Sequence, residues 1–372
     1  MNGAATPATV GADINLVIAG LLRDLADTQT STQRAWGYKQ AAAAVLGLDE
    51  PIDQLAQPDG TLPRIARVGP ASTRVIREVL ATGGSPIVEQ AVEASGRRAE
   101  VDRRRALRGR FLSRARVRAI NADATLDGPR LDDYRGDLQM HSTWSDGSQS
   151  LEAIVEAGRA HGYPFCAVTD HSGGLPIANG LSPERFAAQR ADIDRLNREG
   201  DGSFRLLAGV EANIRVDGTV DVEPADRARF DIVVAAPHAA LRSTGDQTAR
   251  MLAAVTAPGV HVLGHPRGRM YGSRPGVAAD WPRVFAAAAA SGVAVEIDGD
   301  PSRQDLDFDL ARPAIAAGCL FALDTDAHGV GQWHYVEIAM AHARLAGVPA
   351  ERVINTWSLD RLLEWAAWRQ AA

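Results

Sequence analysis

The chain has 372 residues, 40 basic and 46 acidic, and 45% of its side chains are hydrophobic. Balanced charge and high apolar content exclude disorder over most of this length, and the length allows more than one domain. Two cysteines, Cys166 and Cys319, exclude a disulfide framework and a cysteine-built zinc site, and no apolar run of about 18 residues is present to cross a membrane.

The opening MNGAATPATVGADINLVIAGLL has neither a basic flank nor a clean apolar stretch, so no signal peptide and a cytoplasmic location are expected. Residues 13–96 read as a small helical domain. In INLVIAGLLRDLADT, apolar residues Ile14, Val17, Leu21 and Leu25 recur near helical spacing, and RAWGYKQAAAAVLGL and STRVIREVLATG follow suit. Gly83 stands where a C-cap glycine belongs, and Pro51, Pro58, Gly60 and Pro63 punctuate the zone. Residues 97–118 hold ten arginines against two acids. They read as the start of an arginine-rich linker over 97–135, either a solvated helix or a contact for a polyanion. Lys39 is the single lysine.

From Gly136 to the end at 372, short apolar strands alternate with helical segments. The strands are GDLQMH, FCAVTDH, RLLAGVEA, FDIVVAAPH, VHVLGH, VAVEID and LFALDTDAH. Continuous apolar strands with helical crossovers predict a parallel α/β sheet buried on both faces. A barrel of β/α units is its natural closure, and a doubly wound open sheet is the alternative.

The chemistry-bearing residues gather where these strands end: His141 with Asp146 just beyond, Asp170 and His171, Glu211, His238, His265, then Asp324, Asp326 and His328. Five of the nine histidines occupy this one structural position, and sites in β/α barrels are built there. Imidazole and carboxylate donors suit Zn, Mn or Fe. They outnumber the places around one ion, so two or three ions with a bridging carboxylate are expected. The other histidines read as structural: His161 at a helix C-terminus, His261 near a strand start, His334 and His342 on a helix as surface or packing residues. Neither a nucleophile elbow nor a Walker loop is present. Arg267 and Arg269, in GHPRGR, are expected to bind a substrate phosphate, and Asp298 and Asp300 to support the rim.

The motifs DLQMHSTWSDG, AVTDHS, LAGVEANI, VVAAPH, VLGHPRGR, VEIDG and LDTDAH resemble, in order, those of the PHP (polymerase and histidinol phosphatase) superfamily. The likeness is greatest to the C-terminal PHP domain of bacterial family X DNA polymerases, over roughly residues 134–370. The resemblance implies a distorted seven-stranded β/α barrel holding two or three divalent ions. On this chain His141, Glu211 and Asp326 would hold one ion. Glu211 would bridge to a second on His238 and His265, and Asp146, His171 and His328 would hold a third. Glu211, Asp326 and His328 would be the catalytic members. The family's first motif begins His-x-His. Here Gln139 takes the first place and would bind through a weaker amide oxygen.

The upstream helices also resemble that subgroup's DNA-end-binding domain, and RVGPASTRVIREVLATG resembles a helix-hairpin-helix. Arg67, Gly69 and Arg74 would then meet DNA, with Arg67 standing where a first glycine is expected. No palm lies between the two regions, so polymerase activity is not expected. Val75 replaces the lysine needed for Schiff-base lyase chemistry. The implied function is hydrolysis of DNA ends by metal-bound hydroxide, as a 3′–5′ exonuclease, 3′-phosphodiesterase or 3′-phosphatase in repair. Two alternatives stand beside it: a small-molecule phosphomonoesterase such as a histidinol phosphatase, and a noncatalytic DNA-binding module. No membrane partner is expected, and the sequence leaves the oligomeric state open.

Overall fold

The computed structural model describes residues 13–57 and 61–371. Residues 1–12 of the opening used to judge a signal peptide, and the punctuating Pro58 and Gly60, lie outside these. The chain divides into two compact units, one through Ala119 and one from Ile120 onward.

The first unit is helical, with its main helices at Ile14–Thr28, Thr32–Leu46, Pro70–Thr82, Pro86–Ser95 and Arg98–Arg108. Three of these helices, the first, second and fourth, start on a side chain that accepts an otherwise unpaired N–H: Asp13 from Leu16, Ser31 from Arg34, Ser85 from Val88. Their apolar stripes meet in one core that includes Ile18, Leu22, Val45, Ile76, Val79 and Val92. Gly83 ends its helix at φ 77°, as expected for a C-cap glycine. Arg67 takes φ 65°. A β-carbon is strained in that region, which is why glycine would suit the turn better.

The arginine-rich stretch is not a linker throughout. Residues 98–108 form a helix whose Arg105 meets Asp24 at 2.7 Å and whose Arg104 and Arg108 pair with Asp27 and Asp24. Arg98 lies 2.6 Å from Glu89. Helical spacing puts Arg104, Arg105 and Arg108 on one face, and acids on the first and fourth of those helices neutralise it.

The second unit is a six-stranded parallel α/β sheet in sequential order: β1 Phe165–Val168, β2 Arg205–Asn213, β3 Ile232–Ala236, β4 Val262–Leu263, β5 Ala294–Asp298 and β6 Leu320–Asp324. Helices follow the strands where the sequence places them, including Pro183–Glu199, Trp281–Ser291, Phe308–Ala317 and Leu359–Ala371. The strands are buried almost throughout, as a sheet covered on both faces requires. Phe165, Ala167, Leu207, Ile232, Val234, Val262, Ala294 and Ala322 form an inner core, sealed by Trp357, Leu362 and Ala366 from the C-terminal helix region.

The expected first strand, GDLQMH, carries a single bridge, Met140 to Ala327, in place of a strand. The segment nevertheless joins both sheet edges. Ala167 and Thr169 on the β1 side donate to the carbonyls of Asp137 and Met140, and His141 N–H donates to Ala327. Its own donors are intercepted by carboxylates: Leu138 N–H goes to Asp324 Oδ1 at 2.9 Å and Gln139 N–H to Asp137 Oδ1 at 3.1 Å. A ladder cannot run through donors already spent on side chains.

His261 is structural, as expected. Its Nδ1 accepts from Val233 N–H at 2.9 Å and its Nε2 faces the Ala366 carbonyl at 3.0 Å. His342 is a packing residue and not a surface one: it is fully buried, against Gln304 Oε1 at 2.8 Å. Burial lowers the His261 pKa to about 4. The unfolded chain therefore binds the proton near pH 6.5 and the folded chain only near 4. Stability from this residue is lost as pH falls through that window, by up to about 3 kcal/mol. The substitution His261→Gln keeps an acceptor and a donor but cannot titrate. Urea unfolding at pH 7 and pH 4.5 is expected to show a smaller acid destabilisation in this variant than in the wild type.

Candidate metal centre

Alternation along the strands aims the site. Leu207 faces the inner core, so Gly209 and Glu211 face the same way further along β2. Ala322, Asp324 and Asp326 repeat the pattern from β6, and Val234, Ala236 and His238 from β3. The predicted ligands therefore converge at one end of the sheet.

Glu211 is the centre. Its Oε1 lies 2.9 Å from His265 Nε2 and 3.2 Å from His238 Nε2. Its Oε2 lies 3.0 Å from His171 Nδ1 and 3.4 Å from His141 Nε2. Asp326 Oδ1 stands 2.9 Å from the same His141 Nε2. Asp146 Oδ1 faces His328 Nε2 at 3.5 Å, His171 Nε2 at 3.6 Å and His141 Nδ1 at 4.0 Å. Three overlapping sets result: His141, Asp146, His171 and His328; His171, Glu211 and His238; His141, Glu211 and Asp326. His265 joins through Glu211. All eight expected ligands are thus brought together. His171 touches both Asp146 and Glu211, so it belongs to two sets where sequence gave it one. His141, Glu211, His265 and Asp326 are buried, whereas the side chains of Asp146 and His328 are 33% and 32% exposed. The centre therefore has a sealed floor and an open rim.

Supporting carboxylates hold the ligands in place. Asp170 is not a ligand. It accepts from Ser142 N–H at 2.8 Å and from the hydroxyls of Ser142 and Ser145, fixing the turn that carries Asp146. Gly147 is required there, since a β-carbon would stand 2.3 Å from the His141 carbonyl oxygen. Asp324 and Asp137 bind the 137–141 segment to β6 through Leu138 and Thr325. His265 N–H donates to Glu296, and His265 takes φ 21° and Asp326 φ 50°. Such left-handed backbone persists only where surroundings over-determine it.

The electrostatics follow from burial and neighbours. Burial pushes the Glu211 carboxyl upward, but His171 and His238 outweigh it and hold the group well below the usual range. Burial lowers His141 well below its ordinary value and His265 to about 4. Burial, with Asp298 and Asp324 nearby, raises Glu296 well above the carboxylate range.

The residues fit divalent ions. His328 Nδ1 lies 2.9 Å from the Asp326 carbonyl. A carbonyl can only accept, so Nδ1 carries the hydrogen and Nε2 is the ring nitrogen left to face the Asp146 carboxylate. A cation between the two would be held by both. Glu211 Oε2, the Nδ1 atoms of His141, His238 and His265, and both amide atoms of Gln139 are buried without a hydrogen-bond partner. Gln139 lies beside Gly264, where a β-carbon would stand 3.1 Å from its Oε1.

Arg267 and Arg269 are committed elsewhere. Each places Nη1 3.0 Å from Asp307 Oδ2, and Arg269 also donates to the carbonyls of Arg303 and Gln304. Both guanidinium groups share the one carboxylate of Asp307, buried at a helix N-cap, so the phosphate role expected of them competes with this pairing. Asp298 is buried and accepts from Asp300 N–H at 2.6 Å, a supporting role as expected. The residue the sequence reading missed is Arg303, whose guanidinium pairs with Asp326. The signal was available, since Arg303 follows a strand end as the ligands do.

No family model matches the chain. A 230-residue stretch, 62% of this chain, is 36% identical to the DNA polymerase/3′-5′ exonuclease PolX of Bacillus subtilis, of which it covers 40%. The chain therefore spans less than half the length of that relative. A 250-residue stretch, 64% of the chain, is 28% identical to the probable phosphatase YcdX of Escherichia coli strain K12 and covers 96% of it. Both relatives support the PHP resemblance that the motifs carry. Among solved structures, a histidinol phosphate phosphatase from Lactococcus lactis, complexed with zinc, L-histidinol and phosphate, aligns over 57% of this chain and 94% of its own, at 18% identity and a TM-score of 0.44.

Asp170 tests how far this centre depends on its supports. The substitution Asp170→Asn removes a charged acceptor that fixes the Asp146 turn without touching a ligand. Metal affinity, read by competition with a chromophoric chelator, is expected to weaken by about 10- to 100-fold while the circular dichroism stays that of the wild type.

Proposed function

We propose that the chain is a metal-dependent phosphoester hydrolase that acts on DNA ends, as a 3′–5′ exonuclease, 3′-phosphodiesterase or 3′-phosphatase of the repair type. The observation that carries hydrolysis is the Glu211 carboxylate, each of whose oxygens faces two imidazoles. Two or three divalent ions, Zn, Mn or Fe, suit these donors. When bound they would polarise a phosphoryl oxygen and acidify a water.

The chain's own residues supply the rest. His141 and Asp326 would hold one ion with Glu211, and His238 and His265 a second. Asp146, His171 and His328 would hold a third at the open rim. Glu211 would offer one oxygen to each of two neighbouring sites. His328, its Nδ1–H tied to the Asp326 carbonyl, holds its Nε2 lone pair toward the rim where substrate enters. Gln139 would add an amide oxygen to the first ion.

Two observations support DNA ends. The Bacillus subtilis relative is named for a 3′–5′ exonuclease. In the helical unit, Arg64, Arg67, Arg74 and Arg77 are exposed around a turn where Gly69 precedes the helix Pro70–Thr82. We read that turn as a helix-hairpin-helix offering backbone N–H groups to a phosphate. Polymerase activity has no place in this reading. A second reading, a small-molecule phosphomonoesterase such as a histidinol phosphatase, is favoured by the Escherichia coli relative, which is matched over 96% of its length and is named a probable phosphatase.

Oligonucleotides labelled at the 5′ or 3′ end, incubated with Mn²⁺ beside a small phosphomonoester, separate the two. Shortening from the 3′ end is expected, with activity reduced to background in the Asp326→Ala, His328→Ala double variant. Turnover of the monoester with intact oligonucleotides would leave only the second reading. A further measurement addresses the arginines. Arg67→Glu with Arg74→Glu is expected to weaken duplex binding and to lower the slope of log affinity against log salt by about two. Monoester turnover is expected to be unchanged.

A further inference from the structure

The helix Thr32–Leu46 buries Ala41, Ala42 and Val45 in the helical unit and turns its opposite face to solvent. Trp36 stands on that outer face. It is 61% exposed, the most exposed tryptophan among the described residues. An indole carries one of the largest apolar surfaces of any side chain, and leaving it in water forgoes the gain of burying it. Gly37 beside it opens onto empty space, since a β-carbon there would meet no atom within 4 Å. Helical spacing puts Gln33, Trp36, Gly37 and Gln40 on one face. Gln40 Oε1 accepts from Arg67 Nη1 at 3.1 Å. That bond joins the face of the indole to the turn before Gly69. Its acceptor is a neutral amide, so the guanidinium keeps its charge. The surrounding sequence carries charge of one sign. Residues 28–48 and 61–77 contain Arg34, Lys39, Arg64, Arg67, Arg74 and Arg77 and no acid. All five arginines are exposed. Lys39 lies toward Asp27 of the first helix.

We propose, resting on the DNA-end reading above, that Trp36 is a stacking platform for an unpaired base, and that the helical unit selects DNA ends carrying single-stranded nucleotides over blunt duplex. Phosphates alone would need only the arginines. The indole adds what a base requires. A base inside a duplex is covered on both faces by its neighbours, whereas one beyond the last pair can lie on an aromatic ring, and such stacking tolerates any sequence. The indole has the area of one base, not of a base pair. On its face stand the amides Gln33 and Gln40, which offer hydrogen bonds to the polar edge that pairing no longer occupies. Arg67, held on Gln40, is then placed to take a phosphate next to the stacked nucleotide. All of these residues belong to the helical unit.

Abasic nucleotides separate stacking from phosphate contact, because they keep the backbone charge and lack the base. Three labelled duplexes are titrated with the full chain by fluorescence anisotropy, with a chelator present to prevent hydrolysis. One is blunt, one carries a short natural overhang, and one carries the same overhang built of abasic residues. The wild type is expected to bind the natural overhang about fivefold or more tighter than the abasic one. Trp36→Ala is expected to erase that preference, and Trp36→Phe to keep part of it. The slope of log affinity against log salt is expected to stay that of the wild type in both variants, since neither removes a charge. Equal affinity of the wild type for natural and abasic overhangs would overturn the proposal. So would an equal loss on all three duplexes in Trp36→Ala, which marks a structural role. Vesicles of anionic phospholipid form a further arm: binding that depends on Trp36, without any overhang preference, would make this a membrane-facing surface instead. Salt-sensitive binding of all three duplexes alike sinks the stacking proposal and leaves the DNA-end reading standing. Absence of binding to any of them sinks that reading as well.

Discussion

A carboxylate buried at the floor of the sheet, Glu211, is the constraint on which the rest of the second unit depends. A fully buried charge is costly unless partners surround it. Here the partners come from four elements distant in sequence: His141, His171, His238 and His265. The fold is the device that brings them to one acid. Parallel strands with helical crossovers put every strand's C-terminal end on the same side, and alternation points every second side chain inward. Glycine at 264 fits the same scheme. A β-carbon there would stand 2.5 Å from the Val234 side chain, so the narrow place between β3 and Gln139 admits none.

The carboxylates behind the ligands do a different job. Asp137, Asp170 and Asp324 face backbone N–H groups and hydroxyls. They let the chain depart from regular strand geometry where the site needs it. Segment 137–141 spends the donors of Leu138 and Gln139 on acids and so reaches His141 without a regular ladder. Asp170 does the same for the turn bearing Asp146. The cost is a set of buried acids close together, and burial with mutual repulsion raises Asp137 and Glu296 well above the carboxylate range. Neutral acids can lie beneath a charged cluster where ionised ones could not.

Much of this was legible in the sequence, for a definite reason. Strand-end His, Asp and Glu are a pattern of period and position, and a parallel sheet converts position along the chain into position in space. The helices Pro183–Glu199 and Trp281–Ser291 fall where the alternation of strands and helical segments puts them. What failed was pairing. Arg267 and Arg269 look available in GHPRGR, but their partner Asp307 lies 38 to 40 residues on. The arginines at 104, 105 and 108 look solvated, but their acids at 24 and 27 sit about 80 residues earlier, at separations of 77 to 84. Whether a charge is free or neutralised depends on tertiary contact, and local pattern carries no record of it. The missing seventh strand has the same origin: GDLQMH has strand-like apolar residues, and only the folded positions of Asp137 and Asp324 divert its ladder.

Charge balance ties the site's parts together. Glu211, Asp146 and Asp326 bring three formal negative charges to a cluster whose floor imidazoles His141 and His265 burial keeps neutral. Arg303 offsets one of them at Asp326. Added cations would take over from His171 and His238 the offsetting of Glu211, and the open rim at Asp146 and His328 is the side from which they can enter. Two divalent ions would bring the floor and rim to a net positive charge, the condition for holding an anionic ester against its own hydration. The guanidinium fixed on Asp326 and close to Asp298 tempers repulsion among these buried acids.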